Sequence, residues 1–451
     1  MIGQEQLKGK TMSTNGRIIQ TRFLIAVLLL GCGLTGRAHD FAGGTGEPND
    51  PYQIATAEDL LAVGSSKDLL TKHYVLVNDL DLDPNLPGGR VFDDALIAQD
   101  QYEDVSGHSG EPFTGVLDGH GRAIRNLCIS GRDGYDAGLF GKLSGLVKDL
   151  RLQDVRISGS PCGAMAGLNE GLGVILRCSV TGHIWGSENT GGIVGTNWDG
   201  ALIDCSAEVR VTGVQNVGGM VGGGPGATLI RCELRGDVGG DSSVGGLVGE
   251  MPRGQVIDSR VRGTATGRDN VGGLVGTLAN AASIIRSTAE CDVTAEFTAG
   301  GLVGDASLSA SRSPLISDCH SRGVVAGTIV GGLIGAASWV RIVNSYAACE
   351  MVPMVGATPV VLGGLLGEAD VRRPPLAPGC FWDAELSGVS AGIGSGRVLG
   401  TSLTTEQMQQ QATFEQAGWD FDSVWVMAED GYPVLQWEVA ADAGQGANDE
   451  R

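Results

Sequence analysis

The chain is 451 residues long, with 74 glycines, 5% aromatic residues and a formal net charge of −21 at pH 7. That acidity argues against nucleic acid and anionic membrane surfaces as partners. A glycine share more than twice the average of about 7% argues against long helices, because each helical glycine costs roughly 1 kcal/mol.

At the N-terminus, Lys8, Lys10, Arg17 and Arg22 precede an apolar run at residues 23–30. The run is too short to span a bilayer and reads as the core of a signal peptide over residues 1–38. Leu29-Leu30-Gly31-Cys32 resembles a bacterial lipobox, although Leu30 is bulkier than the usual residue there. Cys32 is therefore a lipidation candidate, and a lipid on it would be the chain's contact with a membrane. Removing residues 1–38 leaves 26 basic and 51 acidic residues, a net charge of −25.

Residues 39–136 read as an N-terminal cap and first coils. Thr56 ahead of Ala57-Glu58-Asp59 opens a short helix with Leu60 and Leu61 on one face. An acidic loop comes next at residues 84–112, with Asp93, Asp94, Asp100, Glu103, Asp104 and Glu111. Asp79, Asp81 and Asp83 alternate onto one strand face, and with Asp93 and Asp94 they are candidate calcium ligands, calcium being an oxygen-ligand ion. No EF-hand or RTX spacing accompanies them, so a solvated acidic surface is the competing reading.

From residue 137 to 379 a five-residue phrase, typified by Gly-Gly-Leu-Val-Gly, returns nine times. It closes at Gly141, Gly167, Gly195, Gly222, Gly249, Gly276, Gly304, Gly335 and Gly367, in steps of 26 to 32 residues. A fixed period in this range means stacked supersecondary units. About fourteen residues upstream of each phrase lies a second short, β-branched run, such as Val174-Ile175-Leu176 or Ile284-Ile285, bounded by Gly, Ser, Thr and Asn. These are strand signals, and no repeat holds the i, i+3, i+4 pattern of a helix. At ~3.3 Å per residue a 27-residue coil measures roughly 90 Å around, enough for three short strands and three corners. The fold class is all-β, a right-handed parallel β-helix of about nine to ten coils with caps at both ends.

Three columns emerge when the repeats are stacked. Cys178, Cys205, Cys232 and Cys319 share a position with Ser259, Ser287 and Ser345, so a compact side chain is wanted there. Cys178–Cys205 and Cys205–Cys232 disulfides are open alternatives to free thiols, since neighbours one coil apart are within reach. The preceding position runs Asn126, Asp149, Arg177, Asp204, Arg231, Asp258, Arg286, Asp318, Asn344, alternating in charge sign from Asp149 to Asp318. With coils about 4.8 Å apart, opposite charges would attract along such an outward ladder and hold the register. The competing reading is coincidence among solvated charges, because exposed ion pairs are often worth nothing measurable. Finally, side-chain alternation puts the two central residues of the phrase, such as Leu247 and Val248, on opposite faces, one in the lumen and one in an outer apolar stripe.

Residues 380–439 read as a C-terminal cap. Thr404 and Gln407 form a capping-box pattern opening a helix to about Gln416, and Trp419, Phe421, Trp425 and Trp437 supply large apolar groups. Residues 440–451 read as a disordered polar tail.

The phrase at this spacing, with Ile-x-[Asp/Asn/Arg]-[Cys/Ser] between copies, resembles the GLUG-motif repeat family of bacterial secreted and adhesin-like proteins over roughly residues 43–439. Pro51-Tyr52-Gln53-Ile54 with Ala57-Glu58-Asp59-Leu60 is similar to the N-terminal region of such proteins, and Tyr432-Pro433-Val434-Leu435 to their C-terminal region. The resemblance implies a parallel β-helix and brings no catalytic residues. The expected function is a secreted or surface-anchored, non-catalytic scaffold for adhesion or binding to an extracellular protein or glycan.

The alternative is a polysaccharide-active enzyme, a lyase or glycoside hydrolase. Gly119-His120-Gly121 and Asp93-Asp94 resemble elements of polygalacturonase-like enzymes, but the accompanying Asn-Thr-Asp and Arg-Ile-Lys are missing, and Asp118-Gly119 reads as a turn. A lyase needs Lys or Arg as base, and beyond residue 38 the only lysines are Lys67, Lys72, Lys142 and Lys148. The ladder gives a test: Arg231→Asp makes an acidic triplet with Asp204 and Asp258, and the midpoint of thermal unfolding should fall.

Overall fold

The structure is a computed structural model. It describes residues 39–449 except 100–109, 308–311, 355, 357–359, 371, 373–374 and 396–398, with backbone alone at 133 and 443–449. The chain divides after His39 into two compact units, and the second, Asp40–Arg451, holds all the repeats. The expected signal peptide, residues 1–38, and the lipidation candidate Cys32 lie outside the described residues.

Each repeat is one coil of a parallel β-helix. A representative coil runs through strands Ala201–Ile203, Ser206–Thr212 and Gln215–Gly218 and returns at Val221–Ile230. A coil has four strand stretches where three were expected, as in Val174–Leu176, Ser179–Trp185, Glu188–Gly191 and Val194–Trp198, and Val221–Ile230 fuses two of these rows into one strand. Strands stack in parallel on their equivalents one coil away, such as Leu202 on Leu229 and Val209 on Gly236. They build a first sheet of 18 strands and a second of 20, whose two rows join at the long strand Arg151–Cys162. The β-branched runs form the lumen core: Val147, Ile175, Leu202, Leu229, Val256, Ile284, Ile316 and Ile342 succeed one another in register and are fully buried.

The phrase is a corner, which removes the expected outer stripe. After Gly218 the chain bends through Gly219-Met220 and resumes at Val221. Because the strand breaks there, side-chain alternation is interrupted. Met220 and Val221, Leu247 and Val248, and Leu274 and Val275 all point inward, with no exposed surface.

The glycines are needed because backbones converge at this corner. A Cβ on Gly218 would lie 2.0 Å from the Val221 carbonyl oxygen, and one on Gly222 would lie 2.4 Å from backbone atoms of Asn189 and Thr190 in the coil before.

At the N-terminal end, residues 42–43 cover the edge of strand Tyr52–Ile54, with Gln53 N donating to Gly43 O at 2.8 Å, so no bare strand edge invites another chain there. Thr56 and Asp59 form a capping box at helix Ala57–Ala62, as the sequence indicates. Phe41, Tyr52, Tyr74, Phe113 and Phe140 stack in series, with ring centroids 4.4 to 6.2 Å apart.

The C-terminal region departs from the expected cap. Trp382 and Ile393 join the lumen core at the last coils. Residues 404–435 instead build a separate aromatic core, in which Met408, Phe414, Trp419, Trp425 and Leu435 pack on the outward-facing Tyr346 and Phe381. The expected single helix is two, Thr405–Met408 and Gln411–Glu415, the first with the Thr404–Gln407 capping box. Nor is the chain disordered from residue 440: helix Gln436–Asp449 runs through it, and Asp442 is held by two arginines.

The corner predicts that Gly222→Ala destabilises the protein by about 1–3 kcal/mol, the usual cost of overpacking, measured by denaturant unfolding. Val214→Ala, at a half-exposed site, should change stability far less.

Candidate functional site

The ladder column turns out to be the left-handed corner of every coil. Asn126, Asp149, Arg177, Asp204, Arg231, Asp258, Arg286, Asp318 and Asn344 all have φ between 44° and 57°, a region that favours Asn and Asp among residues with a Cβ. Arginine has no such preference, and its recurrence here is explained by pairing. Arg177 donates from Nε and Nη2 to both oxygens of Asp149 at 2.6 and 2.7 Å. Arg231 does the same to Asp204 at 2.5 and 2.9 Å, and Arg286 to Asp258 at 2.7 and 3.0 Å. Each arginine reaches back one coil, so the ladder is three two-pronged pairs and not one continuous chain of charges. Asp318 has no such arginine and accepts from Ser317 Oγ at 2.6 Å. A second left-handed column, Asn189, Asn216, Ser243 and Asn270, precedes the glycine corner; its signal was the recurring Asn, but sequence reading missed it.

The Cys/Ser column faces inward. Cys178, Cys205, Cys232 and Cys319 are buried and free, so neither disulfide is formed. Their Sγ atoms point at backbone carbonyls, as Ser259, Ser287 and Ser345 hydroxyls do. Burial pushes the Cys205 thiol up to about 12, so these are packing residues and not nucleophiles.

The calcium candidates do not converge. Asp79 accepts from Ala123 N and Arg125 Nη2, Asp81 from Asp83 N and Asn126 Nδ2, and Asp83 from Asn85. Asp94 accepts from Ala95 N, and Asp93 is exposed. Asp100, Glu103 and Asp104 lie outside the described residues. Among the described residues no three His, Cys, Asp or Glu side chains are grouped as a metal ion would need. Asp118 accepts from Lys148 Nζ at 2.5 Å and from His120 N at 2.8 Å, which makes the Gly-His-Gly element a braced turn.

Among the described residues the repeats leave open a groove of about 740 Å³ on the outer face of the second sheet, besides a smaller one beside the corner column at Asp118, Lys148 and Arg177. Its floor tracks a column in which Val155, Gly182, Val209 and Gly236 alternate, and Gly182 and Gly236, with φ of 142° and 149°, sit so tightly that an added Cβ would approach a carbonyl of the neighbouring coil within 2.2 Å. Two outward columns form its walls: Thr181, Glu208 and Arg235, and beside them Arg156, His183, Arg210 and Asp237. Arg210 pairs with Asp237 at 3.2 Å.

The same face continues into later coils, where the chain covers it. Arg322 meets Asp430 at 2.8 Å, His320 meets Glu438 at 2.9 Å, and Arg260 and Arg262 meet Asp442 at 2.7 and 3.1 Å. Thr288, His320 and Glu438 form a hydrogen-bonded series, Thr288 Oγ1 lying 3.1 Å from His320 Nδ1. The series looks like a hydrolase relay, but all three residues are buried and Tyr346 stacks on the imidazole at 5.1 Å. It anchors the C-terminal segment. No local pattern in the sequence links residues more than a hundred positions apart, so these contacts were invisible there.

Residues 186–212, one full coil, match the family model described as the GLUG motif. The chain carries the GLUG motif. That one GLUG coil contains a member of every column described above: Asn189, the glycine corner, Asp204, Cys205, Glu208 and Arg210. The chain is similar to halomucin of Haloquadratum walsbyi, 32% identical over 161 residues, which are 34% of this chain and 2% of halomucin. It is also similar to a protein of Evansella cellulosilytica provisionally named a Gly-rich membrane protein, 39% identical over 105 residues, 23% of this chain and 11% of that one. The chain thus matches only a small part of either relative's length. Among solved structures, a Bacteroides ovatus protein provisionally named an immunoglobulin A1 protease is similar with TM-score 0.41 and 18% identity, over 88% of this chain and 95% of that one.

The hydrogen bonds from Arg177 hold the Asp149 carboxyl below the usual carboxylate range. A folded-state value lowered in this way stabilises the protein above the unfolded value of about 4 and stops doing so as pH falls through the folded value. Asp149→Asn, which keeps the left-handed corner, should therefore lower the urea midpoint at pH 7 and leave it nearly unchanged at pH 2, when both measurements are referred to wild type.

Proposed function

We propose that this protein is a non-catalytic extracellular scaffold, secreted or surface-anchored, that binds a protein or glycan partner in the groove of the second sheet. The observation that carries the reading is the division of labour among the columns. Corner, lumen and Cys/Ser positions are all consumed by holding coils together, whereas Arg156, His183, Glu208 and Arg210 are exposed on a rigid, evenly spaced lattice. Charged rows at the spacing of a parallel sheet, about 4.8 Å, suit recognition of an extended partner by repeated polar contacts. The GLUG repeat, and relatives named as a mucin and a membrane protein, support a place at the cell surface. Lipidation at Cys32 would supply the anchor.

Residues 39–451 should bind at least one member of a panel of extracellular glycans and matrix proteins, and Arg156→Glu with Arg210→Glu should weaken that binding by about tenfold or more. The ladder variant Arg231→Asp should leave it intact. Release of oligosaccharide products from an acidic glycan in the same panel would overturn the reading in favour of a polysaccharide-active enzyme.

A further inference from the structure

The covered half of the second sheet's outer face carries an occupant supplied by the chain itself. Helix Gln436–Asp449 meets outward residues through two carboxylates, Glu438 at His320 and Asp442 at Arg260 and Arg262 two coils earlier. Asp442 sits between two arginines. Its Oδ1 accepts from Arg260 Nη1 at 2.7 Å and Arg262 Nη1 at 3.2 Å, and its Oδ2 from Arg262 Nη2 at 3.1 Å.

The arginine pair looks made for a carboxylate and not for this helix alone. The Arg260 side chain is only 2% exposed, yet its Nη2 has no hydrogen-bond partner, and its Nε faces Glu233 at 3.0 Å outside hydrogen-bond alignment. A buried guanidinium with an unused donor is costly. Arg262 stands in register with Arg235 on the preceding coil, a like-charge neighbour, and each also has a carboxylate of the sheet beside it, Glu290 at 2.7 Å from Arg262 and Glu233 at 2.9 Å from Arg235. Arg235 is also a wall residue of the open groove, so the covered site and the groove are one continuous surface.

Beyond its first turn the helix meets the sheet through Asp442. Asp442 is half-exposed and Val439 points to solvent. Gly444 and Gly446 come later within the helix, each unfavourable by roughly 1 kcal/mol relative to Ala. Among the described side chains, Trp437, whose Nε1 donates to Arg286 O at 3.0 Å, Glu438 and Asp442 attach it to the sheet.

We propose that Arg260 and Arg262 form a carboxylate-recognition site that the C-terminal helix occupies in cis and that an acidic polypeptide segment of a partner takes in trans by displacing it. The proposal rests on the reading of this face as a binding surface and adds the partner's chemistry. The helix acts as an internal competitor: it satisfies the arginines while no partner is present, and a segment carrying several carboxylates displaces it by also reaching Arg235 and the groove.

The test uses the secreted chain with Asp442→Lys, which expels the helix end from the arginines, and a fluorescein-labelled synthetic peptide of residues 434–451 as the acidic probe. Fluorescence anisotropy should show at least about tenfold tighter binding to the Asp442→Lys protein than to wild type, lost again in Asp442→Lys with Arg262→Glu. Circular dichroism and the thermal midpoint report whether each variant is folded, and Asp442→Asn, a milder change, should give an intermediate gain. Equal binding to wild type and Asp442→Lys, or binding that survives Arg262→Glu, would overturn the proposal. So would polygalacturonate binding the Asp442→Lys protein in preference to the peptide. Arg156→Glu with Arg210→Glu reports on the groove separately, so unchanged binding of the extracellular panel by that variant, with retention of the Asp442→Lys effect, would count against the groove reading alone.

Discussion

Everything in this molecule depends on two backbones being able to approach at one corner of each coil. The strand that ends in Gly-Gly and the strand that begins after the apolar pair meet so closely that a methyl group at Gly218, Gly219 or Gly222 would fall inside a neighbouring backbone. Glycine carries an entropic penalty in a strand, and here that penalty is accepted because an added Cβ would meet backbone of the neighbouring coil. The tight corner turns both apolar residues of the phrase into the lumen, so each coil gains two core side chains from a five-residue stretch. It also keeps the coil outline constant, which is why Leu202, Leu229 and Val256 can stack in register for coil after coil.

A constant outline converts sequence positions into columns, and each column then has its own physical requirement. The left-handed corner tolerates Asn and Asp and admits Arg when a carboxylate lies one coil back to receive both of its donors. The Cys/Ser position requires a small group that can reach a carbonyl from inside. Neither column offers solvent a free group: the corner arginines are paired and the thiols are buried. The outward rows of the second sheet, by contrast, vary from coil to coil, and the proposed binding reading rests on them.

Those rows are used in two ways. Over the later coils they carry the chain's own C-terminal segment, whose aromatic core rests on Tyr346 and Phe381 and whose carboxylates reach His320, Arg322, Arg260 and Arg262. Over the earlier coils no described segment covers them, and they form the groove. Arg235 and Arg262, neighbours in register, mark the boundary between the covered and open parts. One surface with a built-in occupant on one half and none on the other is the physical basis for assigning binding to it.

The amino-acid sequence alone determined the period, the strand runs, the lumen residues, the capping boxes at Thr56 and Thr404, and the alternating column from Asp149 to Asp318. All of these are set by residues within one repeat or by repetition itself, and local chemistry announces them. Tertiary structure decided what the columns are for. That the ladder residues stand at left-handed corners, that Leu247 and Val248 both face inward, and that the arginines choose the coil behind them depend on how the chain bends between strands. The placement of residues 404–449 along the side of the helix was beyond sequence reading for a different reason. Arg260 and Asp442 are 182 positions apart, and a contact between two surfaces leaves no periodic trace in either.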